Sequence, residues 1–244
     1  MGRLARSLLR LVVALAAGGA LLGAGLVAVA YSGNRLFHTV ATAKEIKLPD
    51  LKTQAEVPST IYAANGSVLA VLRSSLNRQP VSLARMAPVL VKAVLDTEDH
   101  GFWIHGGLDV ESTARALLAD VNAGAAVQGG STITQQLVKG TYLTDQKTLT
   151  RKIREAALAE RLQEKYTKAQ ILDAYLNTVY LGNGAYGVEA AAKEYFDEHA
   201  SQLDLAQAAL LAGLIQAPSG YDPLVNPVGA RQRRAEVLAR MVHY

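Results

Sequence analysis

From Leu11 to Tyr31 the chain runs 21 residues without a charged side chain. As a helix rising about 1.5 Å per residue, that stretch is roughly 30 Å long, the thickness of a bilayer's hydrocarbon core. Arg3, Arg6 and Arg10 stand just ahead of it. Clustered arginine before a span favours a cytoplasmic N-terminus, which puts everything after Tyr31 outside. Gly18-Gly19 and several alanines make a weak soluble helix but an ordinary membrane one, and no amphipathic face is visible. The rival reading is a cleaved signal peptide, with Ala28-Val29-Ala30 as the cleavage site. The apolar run is longer than the roughly 7–15 residues of a signal peptide's core, which favours a retained anchor.

That anchor divides the chain into a cytoplasmic tail (1–10), a transmembrane helix (11–31), a juxtamembrane linker (32–57) and one outer domain (58–244). A length of 244 residues, 50% of them hydrophobic, allows one substantial domain plus an appendage. A net charge of +4 is too modest to imply nucleic acid, and the absence of cysteine excludes disulfides. Thr60–Tyr62 and Ser67–Leu72 flank Asn65-Gly66, which predicts a hairpin through the positive φ that Asn-Gly accepts. It is the one convincing β element in the sequence.

From about Ser82 the pattern is helical. Helices are expected over Pro88–Asp99, from Asp109 to Ala119, and over Thr132–Tyr142 with Ser131 as cap. Further helices are expected over Leu149–Tyr166, Ala169–Leu181, Gly187–Phe196, Leu205–Gln216 and from Arg231 onward. Thr167 and Gln170 have the spacing of a capping box. Pro223 and Pro227 predict an extended or turned stretch before the last helix. The loop Val121–Gly130, with three glycines, suggests a flap over a cleft.

Three polar motifs carry the chemistry. Glu98 and Asp99 end an apolar helix and run into Gly101-Phe102-Trp103-Ile104-His105-Gly106-Gly107. An acid among aromatic rings has its pKa pushed toward the range of a general base. A surface Glu-Asp pair is the plain alternative, and His105 fits a structural role. Next, Gly129-Gly130-Ser131-Thr132-Ile133-Thr134-Gln135-Gln136-Leu137-Val138-Lys139 opens a helix whose free backbone N–H groups suit phosphate. Gln135, Gln136 and Lys139 share its face. It lacks the P-loop pattern. Lastly, Lys147, Arg151, Lys152 and Arg154 precede Glu155. A charge run is commonly a solvated helix face, and Arg151 one turn back would account for Glu155. With Lys139, the run becomes a candidate pyrophosphate-binding cluster. No zinc-type ligand spacing is present.

These motifs, their order and their spacing, together with Ile171–Gly184, Ala190–Phe196 and Gln216–Pro223, resemble those of the family 51 peptidoglycan glycosyltransferases, from roughly Ile61 to Tyr244. The stretch before the first motif is most similar to the glycosyltransferase part of bifunctional class A penicillin-binding proteins. The resemblance implies a mainly α, lysozyme-like bilobal domain with one small β-hairpin. It implies inverting polymerisation of lipid II into β-1,4 glycan outside the bacterial cytoplasmic membrane. Glu98 would be the general base and Glu155 the second catalytic glutamate, acting directly or by orienting the cations. Asp99, Phe102, His105, Ser131, Thr132, Gln135, Gln136, Lys139, Lys147, Arg151 and Lys152 match substrate and pyrophosphate positions.

The implied partners are lipid II, the growing strand, the bilayer and a cell-wall synthesis complex. No cofactor is required, and a divalent cation (Mg2+ or Mn2+) is compatible with the pyrophosphate. Gly140, Asp197, Gln207 and Lys147 depart from the family's usual asparagine, glycine, glutamate and arginine. The transpeptidase set of Ser-x-x-Lys, Ser-x-Asn and Lys-Thr-Gly is not present, since Ser-x-x-Lys and Lys-Thr-Gly do not occur, so a glycosyltransferase without a transpeptidase domain is expected. A glycoside hydrolase and a non-enzymatic membrane scaffold are the competing functions. The cation cluster argues against hydrolysis of a neutral glycosidic bond.

Overall fold

A computed structural model describes residues 48, 51, 59–72, 77–109, 130–142 and 149–244. The expected anchor at 11–31, most of the linker, the helix after Asp109, the loop 121–129 and Lys147 lie outside those residues. Among the described residues no helix is long and apolar enough to cross a membrane.

The hairpin forms as β1 (Ser59–Tyr62) and β2 (Val68–Leu72), antiparallel, with a register shift at Ile61/Tyr62. Its turn closes through Gly66 N donating to Ala63 O at 2.9 Å, and Gly66 alone takes a positive φ, of 82°. Asn65 contributes its side chain instead: Oδ1 accepts from Ser67 N and Oγ at 3.0 and 2.7 Å. A second β element escaped the sequence reading. β3 (Asn77–Arg78) pairs in parallel with β4 (Ala185–Tyr186). Two-residue strands are too short to carry an alternation that periodicity could detect.

The body is helical: α1 (Pro88–Glu98), α2 (Ile133–Tyr142), α3 (Leu149–Lys165), α4 (Lys168–Leu176), α5 (Val188–Phe196), α6 (Leu205–Leu214) and α7 (Pro227–His243). Their ends follow local chemistry. Pro88 opens α1 at a position where its missing N–H costs nothing. Capping boxes start α4 (Thr167 with Gln170) and α6 (Asp204 with Gln207). Gln207 thus performs the reach-back that a glutamate would. Pro227 does not extend the chain before the last helix. It occupies the first turn of α7, which Asn226 caps by accepting from Gly229 N at 3.0 Å. Asp197 ends α5 with φ 57°, a left-handed position that favours glycine.

α1 packs against α6 and α7, while α2 packs against α3 and α4. The buried side chains form one hydrophobic cluster, including Leu90, Val94, Ile133, Leu158, Leu172, Leu211 and Leu214. The end of α1 meets the start of α2 across this cluster. The segment that follows α1 is held close to α3 at Gly107, where an added Cβ would lie 2.6 Å from the backbone of Ala159 and Glu160. No larger residue fits there without moving the loop or the helix.

Candidate active site

The end of α1 separates two adjacent carboxylates. Asp99, the C-cap, is buried and fully engaged. Its Oδ2 accepts from Ile133 N at 2.8 Å and its Oδ1 contacts His105 Nε2 at 2.5 Å. His105 Nδ1 donates to Gly106 O at 2.7 Å, so the ring meets both acceptors best as an imidazolium. Burial pushes the His105 pKa down, but the Asp99 and Gly106 contacts outweigh it and raise it. Asp99 therefore clamps the loop to the first turn of α2.

That clamp changes how the start of α2 reads. Thr132, one residue later than expected, is the capping residue. Its Oγ1 accepts from Gln135 N at 3.1 Å, and Gln135 Oε1 accepts from Thr132 N at 2.9 Å. Thr132 Oγ1 also donates to Gly107 O at 2.7 Å. Ile133 N and Gln135 N are taken by protein acceptors, so this helix start does not offer them to a phosphate.

Glu98 has the opposite surroundings. It is partly exposed and lines a cavity of about 480 Å3 with Ser131, Thr132, Gln136, Gln216, Arg233 and Arg240. Its Oε2 accepts from Gln136 Nε2 at 2.8 Å. Burial raises the Glu98 pKa; the Gln136 bond and then Arg233 and Arg240 oppose that rise, while Asp99 adds to it. Gln136 Oε1 in turn accepts from the hydroxyl of Tyr175 at 2.8 Å. Gln136 also lines a second cavity of about 630 Å3 that contains Lys139, Tyr175, Tyr180 and Tyr186. Lys139 is exposed there.

Glu155 lies in the first half of α3, 2% exposed, and lines neither cavity. Its oxygens accept from Arg151 Nη1 at 3.2 Å and from Lys152 Nζ. Lys152 Nζ also donates to Ser131 Oγ at 2.8 Å. The second glutamate thus holds two cations, and one of them reaches the rim of the Glu98 cavity through Ser131.

The expected site residues separate accordingly. Glu98, Asp99, Ser131, Thr132, Gln136 and Lys139 line one or both cavities. Arg151 and Lys152 join them through Glu155 and Ser131. Phe102 and Gln135 cannot reach a substrate in this fold, because both are buried, Phe102 completely. Phe102 packs edge-on against Trp103, with Lys168 Nζ 4.5 Å from its ring centre. Gln135 is spent on the cap, and His105 lines neither cavity.

The reading of residues one by one missed Tyr175, Arg233 and Arg240. Tyr175 sits in the Ile171–Gly184 segment, but its helical spacing alone reads as core. The arginines approach Glu98 from α7, far away in sequence. Arg240 Nη1 donates to Thr97 O at 2.8 Å.

No group of three or more His, Asp or Glu among the described residues could hold a metal ion.

A transglycosylase family model matches residues 65–242. Penicillin-binding protein 2D of Bacillus subtilis is 46% identical over 188 residues, 76% of this chain and 27% of that protein. Penicillin-binding protein 1A of Aquifex aeolicus is 46% identical over 184 residues, 75% of this chain and 25% of its own length. Penicillin-binding protein 1A of Neisseria flavescens is 40% identical over 227 residues, 91% of this chain and 27% of its own length. The chain thus spans about a quarter of the length of these relatives. The crystal structure of Penicillin-Binding Protein 1A from Haemophilus influenzae aligns with 78% of this chain and 18% of that one, at 26% identity and a TM-score of 0.43. That superposition is too loose to bear on the fold.

Proposed function

The chain belongs to the transglycosylase family, and from that premise we propose that it polymerises lipid II into β-1,4-linked glycan by inverting transfer. The observation that carries the proposal is Glu98: a cavity-facing carboxylate held by Gln136, with its pKa raised by burial. A base so poised takes a proton near neutral pH better than an ordinary carboxylate. Glu98 accepts the proton of the acceptor's 4-hydroxyl. That oxygen attacks the anomeric carbon of the growing strand as the bond to the pyrophosphate oxygen breaks, and undecaprenyl pyrophosphate leaves with the bonding electrons. The α linkage becomes β.

Lys139, Arg151 and Lys152, with Lys147 from the sequence, supply positive charge for the departing pyrophosphate. Glu155 acts in this scheme by positioning Arg151 and Lys152. No step is routed through a metal. The same proposal includes the single anchor at 11–31, a lysozyme-like bilobal domain on the outer face of the bacterial cytoplasmic membrane, and work within a cell-wall synthesis complex.

The test is the full chain in detergent with lipid II. Long glycan is expected, and Glu98→Gln should abolish it while the circular dichroism spectrum stays unchanged. Undiminished polymer from that variant would remove Glu98 as the base. Release of muropeptides from mature wall, with no polymer made, would replace the transferase by a hydrolase.

A further inference from the structure

We propose that Tyr175 is a positioning residue for the Glu98 carboxylate and acts through the side-chain amide of Gln136. The inference rests on the reading of Glu98 as the base. The contacts link three helices: Tyr175 on α4 donates to Gln136 Oε1 at 2.8 Å, and Gln136 on α2 donates from Nε2 to Glu98 Oε2 at 2.8 Å at the end of α1.

An amide is nearly symmetric in shape but has one donor end and one acceptor end. Either end of Gln136 fits the space beside Glu98. Only the Nε2 end stabilises a carboxylate, and the carbonyl end repels it. The Tyr175 hydroxyl breaks the tie. Tyr175 is 2% exposed, and Gln136 is the acceptor of its hydroxyl proton among the described residues. Burial, then the nearby Glu98 and Asp99, push the Tyr175 pKa well above the ordinary phenol value, so the hydroxyl stays a donor. With the Gln136 oxygen committed to Tyr175, its NH2 must face Glu98. Turning the amide over would strand a buried phenol proton and set a carbonyl against the carboxylate.

The charged groups around Glu98 do not supply this constraint. Arg233 and Arg240 act on it from α7 and Asp99 from the C-cap beside it, all through space. His100, Asp109 and His243 line the same cavity. On α2 the only group bonded to Glu98 is the neutral Gln136. Glu98 Oε2 is thereby fixed on the amide, and the other oxygen, which has no hydrogen-bond partner among the described residues, faces the cavity where the substrate proton would come.

The experiment is a titration of Glu98 in the full chain in detergent micelles, using 13C-carboxyl-labelled glutamate with the resonance assigned by Glu98→Gln. Tyr175→Phe should raise the Glu98 pKa by about half a unit or more, because the bond that favours the charged form loses its fixed orientation. The acidic limb of kcat/KM for lipid II should move up by the same amount, with KM little changed. Gln136→Met removes donor and acceptor together and should raise the pKa as well; adding Tyr175→Phe to it should move the titration no further. An unmoved Glu98 in folded Tyr175→Phe overturns the proposal. So does a Tyr175→Phe shift of equal size in the Gln136→Met background, which also decides the matter if the single variant folds poorly. If wild-type protein makes no polymer but the titration shifts as described, the Tyr175 inference stands and the reading of the function fails.

Discussion

Glu98 ends α1 and Glu155 lies near the start of α3, and the fold treats the two carboxylates in opposite ways. Glu98 faces a cavity and, among the described residues, has one hydrogen-bond donor, the neutral Gln136. Its charge is disfavoured by burial. Glu155 is 2% exposed and has two cationic donors, Arg151 and Lys152. A carboxylate whose ionisation is made harder can take up a proton, whereas one bonded to two cations fixes where those cations point. Two glutamates in dense polar motifs thus stand in different surroundings, one facing a cavity and one holding two cations.

The largest expected effect is on the Glu98 side. Glu98→Gln should lower polymerisation by about 10²–10⁴-fold, the range for loss of a positioned base. It should not lower stability at neutral pH. The folded-state pKa of Glu98 lies above its ordinary value of 4.5, so ionisation costs the folded state progressively as pH rises through that interval. The glutamine variant should therefore melt at or above wild type at pH 7.5, with the advantage gone at pH 4. A melting temperature clearly below wild type at pH 7.5 would make Glu98 a structural residue and erase the contrast.

Next in size, Glu155→Ala should destabilise the protein by about 2–3 kcal/mol. That is at or below the low end of the range for a broken buried pair, because Lys152 and Arg151 can still reach water. Urea unfolding of the two proteins measures it. Loss of turnover without loss of stability would turn Glu155 back into a chemical participant.

Smaller again, Asp99→Asn should cost about 1–3 kcal/mol by weakening the clamp on Ile133 N and His105. His105 has a raised folded-state pKa, so the pair's contribution is complete below the ordinary histidine value of 6.5 and is lost as pH rises through the raised one. Asp99→Asn should flatten that dependence and return the His105 titration, followed by NMR, toward 6.5. An unchanged His105 titration would mean that Asp99 does not hold the ring.

The smallest effect lies outside both regions. Asp197→Gly, at the left-handed end of α5, should raise stability by about 0.5–1 kcal/mol in thermal melts without touching turnover. A loss of activity there would show that the site's geometry reaches further than the two helix ends.

Much of the scaffold was legible because its signals are local. The capping box at Thr167 and Gln170, the apolar face of Pro88–Glu98 and the Asn65-Gly66 turn each depend on residues within four positions of one another. The misses are of two kinds. Ser131 was expected to cap α2, and Pro227 to keep the chain extended, where a shift of a few residues decided the outcome. β3 pairs with β4 across more than a hundred residues, a partnership that no window of sequence contains.

The sequence by itself determined the family, the helices and which polar residues were candidates, because motif order, periodicity and capping are written in neighbouring positions. Only the tertiary structure decided their surroundings. It buried Phe102 and Gln135, spent Asp99 on the start of α2, set Lys152 against Ser131, and brought Tyr175, Gln136 and Arg233 to Glu98. The physical reason is that a carboxylate's chemistry depends on its solvation and on the donors within about 3 Å. Glu155 finds its donors on its own helix, but the donor to Glu98 comes from α2, 38 residues on, so only folding decides what meets Glu98.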